Sequence, residues 1–200
     1  GTKDRGDGGT GKAAALKGTG FYSHFAINPL NGDIYATDYV TGIRKLDATT
    51  GLVSTYIKQG TLNLPTDGAL PATPTMSIDA YNNLMFDSKG RLYIGALHTG
   101  TTYAAVIYQI DIANSYVRKY AGGGLLDDGG SSATSLQIAA GGYSFDESDS
   151  LYVWSVCGGV AVSAATLGTT GKRMIKIVQN SDGTPGTTTR IIGDCSIATI

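Results

Sequence analysis

The chain has 200 residues, 16% of them charged, a net charge of −1, 29 glycines, and 12 tyrosines against 4 phenylalanines. The balance excludes the strongly basic surface that holds nucleic acid, and no apolar run approaches the ~20 residues of a membrane-spanning helix, so no membrane insertion is expected. Many short strands joined by Gly-rich turns have this composition, and low charge with abundant Thr, Gly and Tyr points to an extracellular or cell-surface protein.

Residues 1–9 read as a linker closed by Asp7-Gly8-Gly9. Its opening at Gly1 suggests a mature, trimmed or fragmentary chain. Residues 12–17 are the one helical candidate, a turn and a half at most. Strands are expected at residues 21–28, 33–37, 42–46 and 52–58. The first two are joined by Asn28-Pro29-Leu30-Asn31-Gly32, whose Asn-Gly is a strong hairpin signal. After Asp67-Gly68, strands are expected at 83–87, 91–96, 105–111 and 115–121. After Asp128-Gly129-Gly130, they are expected at 142–146, 151–156, 173–178 and 187–192. Asp-rich turns such as Asp87-Ser88-Lys89-Gly90 and Asp146-Glu147-Ser148-Asp149-Ser150 separate them.

The three groups repeat. Their Asp-Gly turns lie 60 and 61 residues apart. Each continues into an apolar strand ending in Asn or Asp: Phe25-Ala26-Ile27-Asn28, Leu84-Met85-Phe86-Asp87, Tyr143-Ser144-Phe145-Asp146. Each then has an aromatic strand: Ile34-Tyr35-Ala36, Leu92-Tyr93-Ile94, Leu151-Tyr152-Val153. Units of fixed period cannot bury their apolar faces alone and must stack. The expected fold is all-β: a β-propeller-like array of three four-stranded antiparallel blades in a single domain over residues 1–200. The repeats span about 6–60, 66–124 and 127–195, with a tail at 196–200. Closed propellers hold roughly four to eight blades, and open sheet edges pair with other chains. The array is therefore expected to be closed or extended by self-association, into a larger ring or a filament. Ser196, Ile197, Ala198, Thr199 and Ile200 form the candidate assembly strand. A chain cut from a longer array, or an irregular fourth sheet built from the terminal segments, is the alternative.

The first repeat resembles the NHL-repeat β-propellers. The matching residues are Gly6-Asp7-Gly8-Gly9, Ala13-Ala14-Ala15-Leu16, Asn31 to Asp38, Ile43-Arg44-Lys45-Leu46-Asp47 and Thr50 to Thr55. Repeats two and three keep the apolar positions, but neither keeps Asp38 nor the full Arg44-Lys45 pair. The resemblance implies the propeller fold. It also brings two further functional readings: a propeller-type lyase or lactonase with a metal in the central channel, and RNA binding, which the weak basic character disfavours.

In such an array the linkers and the loops between second and third strands share one face. Those loops lengthen along the chain, from 38–41 through about 97–103 to 157–172. Loops on a rigid scaffold commonly carry function, so His98, Thr101 and Tyr103 are candidate binding-face residues. Cys157 and Cys195 should emerge on the same face, at strand ends roughly 10 Å apart from two ladder spacings. A disulfide needs Cα atoms within about 7 Å, a difference that loop residues can make up. An intramolecular disulfide, an intermolecular one and two separate thiols all remain open.

The only histidines are His24 and His98, too few for a three-His zinc site. His24 and Asp38 are the candidate metal ligands of the lyase or lactonase reading. Asp146, Glu147 and Asp149 lack the closing Glu of a calcium loop. No nucleophile elbow or phosphate loop is present, and no cofactor is expected. Tyr22, Tyr56, Tyr103, Tyr116 and Tyr120 offer rings for glycan or peptide contact, or else cap strand faces and edges. The expected function is a non-enzymatic extracellular structural or interaction module that forms homo-oligomers.

Overall fold

The computed structural model describes residues 6–14, 16, 24–78, 83–97, 104–124, 132–156 and 172–193. The chain forms two compact units, residues 1–94 with 109–118 and residues 95–108 with 119–200. Three strands of the second repeat run from one unit into the other.

In the first unit, β1 (Phe25–Ile27), β2 (Ile34–Asp38), β3 (Gly42–Leu46) and β4 (Val53–Gln59) form an antiparallel meander. Its hairpins follow the turn chemistry. Asn28 Oδ1 accepts the Leu30 N–H at 3.0 Å, and Gly32 takes a positive φ of 78°. Asp47 Oδ1 accepts the Thr49 and Thr50 N–H groups at 3.1 and 2.8 Å. The register sets Phe25 opposite Ala36, Ala36 opposite Arg44, and Tyr35 opposite Lys45. Gly42 is obligatory: its φ is 114°, and a Cβ there would lie 2.0 Å from the Ile57 carbonyl oxygen.

Two very short strands occur where the sequence reads as linker. β5 (Asp67–Ala69) pairs antiparallel with the start of β10 (Tyr116–Gly122), Gly68 facing Val117. β6 (Thr75–Met76) joins β4 in parallel, Thr75 facing Lys58. β7 (Leu84–Phe86) pairs with β8 (Leu92–Leu97), and β8 in turn with β9 (Ala104–Asp111), which neighbours β10.

In the second unit, β11 (Ile138–Phe145), β12 (Leu151–Val156), β13 (Lys172–Gln179) and β14 (Pro185–Ile192) form another meander. β11 also meets β9 through Ile138 opposite Ala105. The protein is thus all-β, with three groups of four or five mostly antiparallel strands, none closed on itself, the second and third joined through β9 and β11 into one nine-stranded hydrogen-bonded sheet. Of the helical candidate at 12–17, residues 12 and 13 lie in a turn, residues 14 and 16 are not helical, and residues 15 and 17 lie outside the described residues; among the described residues the only helical element is a 3₁₀ turn at Ala133–Ser135.

Alternation along the strands sets the faces. We name the Tyr35 side of a repeat's second strand its aromatic face and the opposite side its aliphatic face. In the first unit Tyr35, Thr37 and Ile43 on the aromatic face are buried. Tyr35 packs edge-on against Tyr56, ring centroids 5.1 Å apart, and against Phe86 of β7, 5.3 Å apart. Leu84, Leu92 and Ile94, on the aliphatic face of repeat two, are buried as well. In the second unit Leu151, Val153, Ile175 and Ile177 are buried. There the Gly95 N–H donates to the Tyr143 hydroxyl oxygen at 2.8 Å.

Candidate functional site

The first candidate is the cluster around Arg44. Asp38, at the end of β2, turns its carboxylate onto its own loop: Oδ1 accepts the Val40 N–H at 2.8 Å and the Thr41 N–H at 3.4 Å. Its Oδ2 lies 3.8 Å from Arg44 Nη1. Asp38 is fully buried and Arg44 is 2% exposed. Buried charges persist only when paired, and the second partner of Arg44 is Asp7, bound to Nη2. Asp7 Oδ2 also accepts the Thr55 hydroxyl at 2.8 Å and the Thr55 N–H at 3.2 Å. Beside this pair the Gly8 N–H donates to the Val53 carbonyl oxygen, and the Val53 N–H donates to that of Gly9. One buried guanidinium therefore fastens the opening segment to β3 and β4.

His24 joins the same sheet through its backbone. Its N–H donates to Thr37 Oγ1 at 3.0 Å, and its carbonyl accepts the Thr37 N–H at 2.9 Å. Its side chain is half-buried. No group of three or more His, Cys, Asp or Glu that could hold a metal ion occurs among the described residues. His98, Thr101, Tyr103, Cys157, Cys195, Ser196, Ile197, Ala198, Thr199 and Ile200 lie outside the described residues.

The second candidate recurs in each repeat, at the hairpin between its first and second strands. In repeat two it is buried. Asp87 Oδ1 accepts the Lys89 and Arg91 N–H groups at 3.0 and 2.9 Å. Its Oδ2 accepts Arg91 Nε at 2.6 Å and the Tyr93 hydroxyl at 3.2 Å. Gln109, from the third strand, donates its amide to the Tyr93 oxygen. In repeat three Asp146 Oδ1 accepts the Ser148 and Ser150 N–H groups, each at 2.9 Å. Its Oδ2 accepts the Tyr152 hydroxyl at 3.2 Å and Lys176 Nζ at 2.9 Å. The Lys176 ammonium leads the turn N–H groups in holding the Asp146 carboxyl down to about 2. In repeat one Asn28 holds the turn, and Lys45, opposite Tyr35, binds Asp33 at 2.7 Å. The acidic turn residues and the tyrosines thus serve as hairpin staples, with donors and acceptors committed to one another.

The third candidate is a surface. Along β12 the buried residues alternate with Tyr152 and Trp154, and Trp154 is 38% exposed. Opposite Trp154 on β13 stands Met174. Tyr152, Trp154 and Met174 line an open groove of about 250 Å³ with Gly142, Ser144 and Tyr143. In the first unit, Phe25 and Ile27 on β1 are 67% and 53% exposed. Sequence reasoning passes over Trp154, although the alternation Leu151-Tyr152-Val153-Trp154-Ser155 signals a face opposite the buried one.

Compared with family models and with curated proteins, the chain matches none.

Proposed function

We propose that the three groups of strands are blades of an NHL-like propeller array. In this reading the protein is a non-enzymatic, extracellular structural or interaction module that associates with copies of itself, in a ring or a filament. One observation carries the reading. The aromatic face that repeat one buries stands open in repeat three at Trp154, 38% exposed, while the first-strand side chains Phe25 and Ile27 of repeat one are 67% and 53% exposed. Exposed apolar sheet faces mark interaction surfaces.

The polar clusters support a structural role. Asp38 Oδ1 is taken by its own loop while its buried Oδ2 stands 3.8 Å from Arg44 without a hydrogen bond, and Asp87 and Asp146 are spent on their hairpins. A lyase or lactonase would need Asp38 released to a metal beside His24. Thermal unfolding with and without added divalent ions separates the readings: the structural module melts at the same temperature in both, and a metal enzyme does not. Sedimentation equilibrium over a concentration series tests self-association. The expected result is an average mass rising above the 20.6 kDa of one chain. A constant single-chain mass up to millimolar concentration would remove the reading.

A further inference from the structure

The repeats identify which surface meets which. Aligned on their strand-one segments, Phe25, Leu84 and Tyr143 are equivalent, as are Ile27, Phe86 and Phe145. Aligned on strand two, so are Tyr35, Tyr93 and Tyr152. Registers agree across all three: Phe25 faces Ala36, Leu84 faces Ile94 and Tyr143 faces Val153, each on the aliphatic face of its repeat.

One internal junction shows how a first strand is received. In the first unit the aromatic face of repeat one receives the first strand of repeat two, with Tyr35 edge-on to Phe86. In the second unit the Gly95 N–H of β8 donates to the Tyr143 hydroxyl in the first strand of repeat three, and that strand also pairs edge-to-edge with β9, Ile138 opposite Ala105. The aromatic face of repeat one thus takes the first strand of the succeeding repeat.

Among the described residues, two surfaces of that kind are exposed. The aromatic face of repeat three, with Tyr152, Trp154 and Met174, lines the open groove. The equivalent positions in repeat one, Tyr35, Thr37 and Ile43, are buried. The first strand of repeat one exposes Phe25 and Ile27, whereas Leu84, the counterpart of Phe25, is buried.

Resting on the self-association reading, we infer that the Trp154 face of one copy binds the Phe25–Ile27 strand of a second copy, in a head-to-tail contact that repeats the Tyr35–Phe86 junction. Tyr152 then packs on Ile27 of the next copy, as Tyr35 packs on Phe86. The occupant is fixed by the repeat itself. The groove is a receptor for a first strand of this sequence, and an uncovered first strand of this sequence exists on every copy. Such an interface is heterologous. It closes into a ring where the rotation per subunit divides a full turn, and otherwise extends as a filament.

The test uses two full-length variants, Trp154→Lys and Ile27→Lys, each at an exposed position. Each carries one damaged and one intact surface. Circular dichroism first establishes that both keep the wild-type fold. Sedimentation then reads the mass of wild type, of each variant and of their equimolar mixture. The expected result is an assembled wild type, a single-chain mass for each variant alone, and a two-chain complex in the mixture that grows no further. That complex joins the intact groove of Ile27→Lys to the intact strand of Trp154→Lys, and lysines block both outer ends. A wild type that stays single-chain overturns the self-association reading and this interface with it. A wild type that assembles alongside variants that also assemble overturns the interface alone. Variants that dissociate but form no mixed dimer overturn the head-to-tail pairing. Should a variant fail to fold, Ile27→Ser or Trp154→Ser replaces it, with at least a tenfold weakening of assembly expected.

Discussion

Removing one hydroxyl at equivalent positions of two repeats should give two different costs. Tyr93 is 0% exposed, and its hydroxyl donates to Asp87 Oδ2 while accepting the Gln109 amide. Tyr93→Phe keeps the ring and takes a donor from one buried group and an acceptor from another. Breaking a buried hydrogen bond so that its partners lose their desolvation compensation costs about 1–3 kcal/mol per group, more at charged ones. Because Arg91 stays on Asp87, about 2–3 kcal/mol is expected in total. Tyr152 makes the same bond to Asp146, but that carboxylate is 30% exposed. Water replaces the lost donor there, so Tyr152→Phe should cost less than about 1 kcal/mol. For a chain of this length each kcal/mol moves the thermal midpoint by roughly 2–4 °C. The expected falls are therefore about 4–12 °C and under about 4 °C. Urea unfolding at unchanged m-value measures both, in an Ile27→Lys background so that assembly does not cover Tyr152. Equal costs, or a larger one at Tyr152, would refute the claim that burial decides the strength of these staples.

Three further outcomes are expected. The folded Asp146 carboxyl titrates near 2, below its ordinary 3.8. A depressed folded value adds stability above the unfolded pKa that is lost as pH falls from about 4 to about 2. Lys176→Gln should return the carboxyl toward 3.8, read by NMR titration, and flatten stability across that acid window. Gly42→Ala forces a positive φ on an L-residue and drives a Cβ into the Ile57 carbonyl. Its cost should exceed ~2 kcal/mol, seen as a lost or strongly lowered unfolding transition. Asp7→Asn weakens the pairing of the buried Arg44. Because Asp7 is 39% exposed, the cost falls well below that of a fully buried pair, to about 1–2 kcal/mol. Limited proteolysis should then cut the chain faster within residues 6–14.

The hairpins are the most legible part of the sequence. Asn28 to Gly32, Asp87 to Gly90 and Asp146 to Ser150 carry turn residues whose side chains bind their own backbone, and local chemistry of that kind is written locally. β5 and β6 read as linker because two or three residues carry no periodicity. They exist through partners far along the chain, Tyr116–Arg118 for β5 and Lys58–Gln59 for β6. β11 starts earlier than its apolar pattern, at Ile138, because Ala139 to Gly142 give no alternation to read. For the polar staples, the repeat marks Asp87, Asp146 and their tyrosines. The third-strand partners Lys45, Gln109 and Lys176 emerge only from cross-strand register. The Trp154 face is hidden for another reason. Tyr152 in repeat three has the same spelling as the buried Tyr35 in repeat one, and the burial of that face depends on whether a further first strand packs against it.

The chain contains a single tryptophan, Trp154, so its fluorescence reports on the inferred contact alone. Emission spectra and acrylamide quenching monitored through a dilution series that crosses the assembly transition test the account most directly. Docking of a second copy's first strand predicts blue-shifted, quencher-protected emission in the assembled protein and red-shifted, accessible emission on dilution. Assembly that leaves the emission and the quenching constant unchanged would contradict it.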